Sequence, residues 1–117
     1  MTRSGRTLVP QPDPKPAARI VDRYAGWTKV LTEGDCRVCG TRWPLTRHHL
    51  IKRSQGGDDI DDNLVPLCGN GTTGCHGRVE ARDSNTLHLL RHLLTPEEVA
   101  YCKAKKGEAW LDRMYPW

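Results

Sequence analysis

Four of the chain's five cysteines and three of its five histidines fall between Cys36 and His76. That constellation constrains the fold more than any apolar pattern does. Cys36-x2-Cys39 can aim two thiolates at one ion from a tight turn, and Cys68 and Cys75 supply a second pair further along. Four thiolates match a closed tetrahedral zinc site of the structural kind. Six residues separate Cys68 from Cys75, a wider gap than usual, so three cysteines with His76 in place of Cys75, or four free thiols, stay open as alternatives. Cys102 has no partner nearby in sequence and reads as a small core residue.

A chain of 117 residues with 37% apolar residues and no Phe has little core to draw on. A structural metal would supply what is missing, because its binding free energy becomes folding free energy. No apolar run approaches the length of a bilayer span and no hydrophobic signal segment follows Met1, so a membrane role is excluded and a cytoplasmic setting is expected. There cysteine pairs bind metal more often than they form disulfides.

The net charge of +4 is uneven. Residues 26–80 carry seven charges of each sign, and most of the excess lies in residues 1–25. Residues 1–16, with prolines at 10, 12, 14 and 16, read as a flexible basic arm suited either to a polyanion or to no partner at all.

From Ala17 to Asp35 the spacing of Ile20, Tyr24, Trp27 and Leu31 predicts a helix with those four on one face. Thr46–Lys52 and Asn63–Leu67 read as two short strands, and a helix is expected to start near Cys75-His76. Asp58, Asp59, Asp61 and Asp62 lie between the strands and read as a solvated loop, since their spacing lacks the regular oxygen-ligand pattern of a calcium loop. Residues 83–117 read as helical. Thr95-Pro96-Glu97-Glu98 is a capping-box signature, Gly107 a break, and Trp110 with Met114 a final short turn.

The ordered set Cys36-x2-Cys39, His48-His49-Leu50, Gly56-Gly57, Asp62-Asn63-Leu64, Leu67-Cys68 and Cys75-His76 resembles the HNH endonucleases, a branch of the ββα-metal nucleases. The string from Leu67 to Gly77 is similar to small HNH proteins of tailed bacteriophages. The resemblance implies a small α+β fold: a zinc-stapled ββα unit over residues 36–82, with the N-terminal helix before it and the helical extension after it.

It also implies a metal-dependent endonuclease acting on double-stranded DNA, nicking one strand per site, in phages beside the terminase. His48 and His76 would hold one catalytic divalent ion (Mg2+, Mn2+, Ni2+ or Zn2+), His49 would be the general base, and Asn63 would tie the loop that holds it. Glu80 occupies the place where some relatives have a further ligand, with a solvated or Arg-paired residue as the favoured reading. Arg47, Lys52, Arg53 and Arg78 flank the site as candidate phosphate contacts. The residue types suit the chemistry, because a neutral imidazole is a competent base near neutral pH and a cation can absorb the charge that develops on phosphate. The rival reading is a zinc-ribbon-like nucleic-acid-binding or adaptor module without catalysis, which leaves His48, His49, Asn63 and His76 unexplained. Cleavage of RNA instead of DNA is a further alternative.

Overall fold

The computed structural model describes residues 19–117, so the basic arm lies outside the described residues. Strands β1 (Leu45–His49) and β2 (Leu64–Cys68) form an antiparallel pair in which Leu45 faces Cys68 and His49 faces Leu64. Helix α1 (Ala25–Glu33) precedes them, and α2 (Gly74–Glu80), α3 (Ser84–Leu93), α4 (Pro96–Lys106) and α5 (Glu108–Met114) follow. The fold is α+β, with one small sheet among helices. Leu50, Ile51, Val65, Leu67, Val79, Leu90, Cys102 and Leu111 make up much of its core. Among the described residues, no helix is long and apolar enough to cross a membrane.

Strand β1 stops short of the predicted Lys52. The chain turns through a short 3-10 helix at Arg53–Gln55 and reverses at Gly56-Gly57. Gly57 is obligatory there, since a Cβ would stand 1.7 Å from the carbonyl oxygen of Ile51. Asn63 closes the reversal. Its Nδ2 donates to the carbonyls of Ile51 (3.0 Å) and Asp58 (2.8 Å), and its Oδ1 accepts from Ile51 N–H (2.8 Å). One buried amide thus satisfies three backbone groups that the turn leaves without ladder partners.

Two expectations are corrected. The first helix starts at Ala25, and its buried positions are Gly26, Lys29 and Val30. The predicted stripe is exposed: Ile20 53%, Tyr24 63%, Trp27 50% and Leu31 80%. Carboxylates in the acidic loop compete for the backbone that a longer helix would have used. Ile20 N–H donates to Asp58 Oδ1 (2.6 Å), Asp22 N–H to Asp59 Oδ2 (3.2 Å), and Asp59 N–H to Ile20 C=O (2.9 Å). The acidic loop is correspondingly not all solvated, for Asp58 and Asp59 are buried.

Lys29 can turn inward because its charge is met there. Its Nζ donates to Leu64 C=O (2.8 Å), to Asp61 C=O and to Glu98 Oε2 (3.1 Å). Glu98, 1% exposed, also accepts from both terminal nitrogens of Arg37 (2.8 and 3.0 Å). The same carboxylate completes the capping box of α4, accepting from Thr95 N–H (2.8 Å) while Thr95 Oγ1 accepts from Glu98 N–H (3.1 Å). One acidic side chain therefore joins α1, the first cysteine turn and α4.

Candidate metal centres and active site

Two groups of metal-ligating side chains stand apart in the fold. The sulfurs of Cys36, Cys39, Cys68 and Cys75 all lie within 4.8 Å of one another. Cys39 and Cys68 Sγ are 3.6 Å apart, close to the separation of about 3.8 Å expected for thiolates on tetrahedral zinc. Gly40 N–H bonds Cys36 C=O, and Arg37 N–H bonds Pro66 C=O (both 2.9 Å), which pins the first turn to β2. Cys75 N–H donates to Cys68 Sγ (3.3 Å), bringing the second pair together across its wide spacing. Hydrogen bonding with Thr41 pulls the Cys39 thiol down to about 6, toward the thiolate form that a metal requires. The donor set is compatible with zinc.

The second group is His48 on β1 with His76 and Glu80, one turn apart on α2. His48 Nδ1 is 3.1 Å and His76 Nε2 3.6 Å from Glu80 Oε2. His76 therefore belongs to this group, while Cys75, its neighbour, points to the sulfurs. Proton bookkeeping shows what the three atoms offer. Thr46 Oγ1 lies 2.9 Å from Gly69 C=O and 2.7 Å from His76 Nδ1. A carbonyl only accepts, so the hydroxyl hydrogen goes to Gly69 and His76 Nδ1–H donates to Thr46. Burial, with His48 nearby, pulls His76 down to about 4, so the ring is neutral and its Nε2 presents a lone pair. Contact with His48, then the Lys52 ammonium 2.7 Å away, hold the Glu80 carboxyl well below the usual range. An imidazole lone pair and a carboxylate facing each other at this distance repel unless a cation sits between them. The group therefore fits a divalent ion on chemical grounds.

His49, the next residue on β1, faces the acidic loop, as the alternation of a strand requires. Its Nε2 lies 2.8 Å from Asp59 Oδ1. Asp59 also accepts from Arg19 Nη2 (2.9 Å), and Arg53 Nε is 3.4 Å from it. Burial lowers His49 against the opposing pull of Asp59, so the imidazole is neutral at physiological pH. With Nε2–H spent on Asp59, Nδ1 is the nitrogen able to accept a proton.

His49 and His76 line an open cleft together with Arg47, Lys52, Arg53, Ser54 and Glu80. Arg47 rests its guanidinium 5.1 Å over the ring of Trp27 and lays its stem on Gly26, where a Cβ would come within 1.8 Å of Arg47 Cδ. Lys52 and Arg53 are partly engaged by Glu80 and Asp59. Arg78 stands elsewhere, in a separate concavity with Thr72, Thr73 and Asp83, and its Nη1 approaches Cys75 Sγ at 3.8 Å. The sequence reading missed Asp59, hidden in a run of four similar acids, and Thr46 and Tyr115, whose contacts are long-range.

Residues 36–82 match the family model of the HNH endonucleases. This stretch is similar to the HNH endonuclease domain. It contains β1, β2 and α2, both ligand groups and the His49–Asp59 pair, and stops before α3. The HNH family is one of endonucleases, and the matched stretch holds both groups of metal-ligating side chains. Neither the curated proteins nor the solved structures contain a match to the chain.

Proposed function

We propose that the chain is a metal-dependent DNA endonuclease that hydrolyses phosphodiester bonds, nicking one strand per active site. The observation that carries this reading is the convergence of His48 Nδ1, His76 Nε2 and Glu80 Oε2 beside a neutral His49 whose Nε2 is already engaged. When bound, a divalent ion there would stabilise negative charge on the scissile phosphate and its leaving oxygen. His49 Nδ1 takes the proton of the attacking water, water oxygen bonds to phosphorus, and one phosphorus–oxygen ester bond breaks. Asp59 keeps the imidazole in the tautomer this needs, and Asn63 holds the loop that carries Asp59. Arg47, with no carboxylate partner among the described residues, binds a backbone phosphate in the cleft. The four cysteines hold a structural zinc ion that staples the hairpin to α2. The likeness of residues 67–77 to small HNH proteins of tailed phages extends the proposal to genome packaging beside the terminase.

The test is supercoiled plasmid incubated with the protein and Mg2+, Mn2+, Ni2+ or Zn2+, each against EDTA. Conversion to open circles that EDTA abolishes is expected. Intact plasmid under every metal, with retained DNA binding, would favour the non-catalytic adaptor module.

A further inference from the structure

The outward-facing residues of α1 form one wall of a groove. Trp27 and Leu31, one turn apart, line it with Arg42 and Trp43 from the loop before β1 and with Leu45 of β1. Trp43 is 83% exposed, and an open apolar face with two indoles on so small a chain marks a binding surface. The groove adjoins the cleft of His49 and His76. Leu45, Arg47 and His49 alternate along β1 and so share one face of the strand; the first lines the groove and the other two line the cleft. Arg47 bridges them, with its guanidinium over the ring of Trp27.

The chemistry of the lining selects the occupant. Arg42, Arg47, Lys52 and Arg53 line the groove and the cleft, against one carboxylate, that of Glu80, among the lining residues. Arg42 Nε lies 3.5 Å from Asp35 Oδ1, and with both side chains exposed that pair is too weak to keep the guanidinium from a phosphate. A row of cations beside flat aromatic rings fits a polyanion that carries flat rings of its own, and bases stack on indoles whatever their sequence. In a duplex each base is covered by its neighbours; an unpaired base has a face to offer. We propose that the groove of Trp27 and Trp43 stacks unpaired bases, so that the substrate is DNA with a single-stranded stretch next to the scissile phosphate, a placement that rests on reading the cleft as the nuclease site. From Leu45 to His49 the strand advances about 13 Å, the rise of about four stacked nucleotides. The unpaired stretch therefore begins within about that distance of the bond that is cut.

Fluorescence anisotropy of the zinc-loaded full chain, with no other divalent ion added, compares a blunt duplex with the same duplex carrying an oligo(dT) tail at its 5′ or 3′ end. The wild type should bind at least one tailed duplex about 5-fold or more tighter than the blunt one, the factor that one stacked base supplies. Trp43→Ala removes an exposed ring without opening the core, and it should lose most of that preference. Trp43→Phe should keep part of it, and all three proteins should bind the blunt duplex alike. Equal binding of blunt and tailed duplexes by the wild type overturns the proposal, as does a tail preference that Trp43→Ala retains in full. A wild-type dimer that Trp43→Ala makes monomeric in sedimentation velocity, with no tail preference, gives the groove to a second copy of the chain instead. Plasmid nicking together with equal binding of the two duplexes refutes the groove and leaves the nuclease. Tail preference together with intact plasmid under every metal refutes the nuclease and leaves the groove.

Discussion

His49 Nε2 and Asp59 Oδ1 lie 2.8 Å apart, and Asp59 is itself held by Arg19 and by the backbone N–H of Asp22. The proposed base is thus oriented by a carboxylate that the segment before α1 clasps in place. Asp59→Ala should lower kcat by about 10²-fold, the scale for displacing a reacting group by about 1 Å. Asp59→Asn keeps an acceptor oxygen and should lose less. Zinc content and KM should change little in both, as measured by elemental analysis and initial-rate kinetics. Equal activity in all three proteins would remove Asp59 from the mechanism.

The cysteine site carries a stability prediction. Cys36→Ser or Cys39→Ser should abolish retention of one zinc per chain and unfold or strongly destabilise the domain, because the small core loses its staple. Thermal melts and elemental analysis decide the matter. A Cys36→Ser protein with the native melting temperature and metal content contradicts it.

Glu98 gives a pH dependence. Burial would raise its carboxyl, but the Arg37 hydrogen bonds and Lys29 override that and hold it below the ordinary value. A carboxyl lowered on folding stabilises the protein fully above its unfolded value of about 4.3 and ceases to do so as pH falls through the folded value. Urea unfolding should therefore show stability decreasing below about pH 4.3. Glu98→Ala should cost about 3 kcal/mol at pH 7, since it removes the buried carboxylate that Lys29 and Arg37 share and leaves them only the more exposed Glu33, and should flatten the acid limb. A limb as steep in Glu98→Ala as in the wild type would assign the loss to other groups.

Gly26 makes a sharper test of Arg47. By helix propensity alone, Gly26→Ala should stabilise α1 by about 1 kcal/mol. The added Cβ would meet the stem of Arg47 at 1.8 Å and push it from its seat beside Trp27. DNA affinity should therefore fall without loss of fold. The slope of log affinity against log salt should drop by about one phosphate contact, as in Arg47→Ala. Unchanged affinity and slope in Gly26→Ala would take Arg47 off the DNA.

What could be read from sequence was local or fixed by metal-ligand spacing. Thr95 and Glu98 are three residues apart and form the capping box their types foretell. The hairpin and α2 followed from the ordered Cys, His and Asn positions. Helix α1 was misread because its periodic apolar residues face outward, while Lys29 turns inward to a carboxylate 69 residues away. No pattern in a window of a dozen residues contains that partner. Asp59 and Tyr115 escaped for the same reason. Each is set by a contact with one histidine and by backbone groups from a distant segment, and nothing in their neighbours singles them out.

His49 is the proposed base beside a separate ion site, and a metal titration of plasmid nicking by wild type, His49→Ala and His76→Ala distinguishes the two roles. His49→Ala should lose about 10²- to 10⁴-fold in rate at every metal concentration, with zinc content, fold and DNA binding near wild type. His76→Ala should also lose activity but regain part of it in excess metal, because its defect is in holding the ion. Full activity in His49→Ala, or its rescue by metal alone, would mean that His49 is not the base.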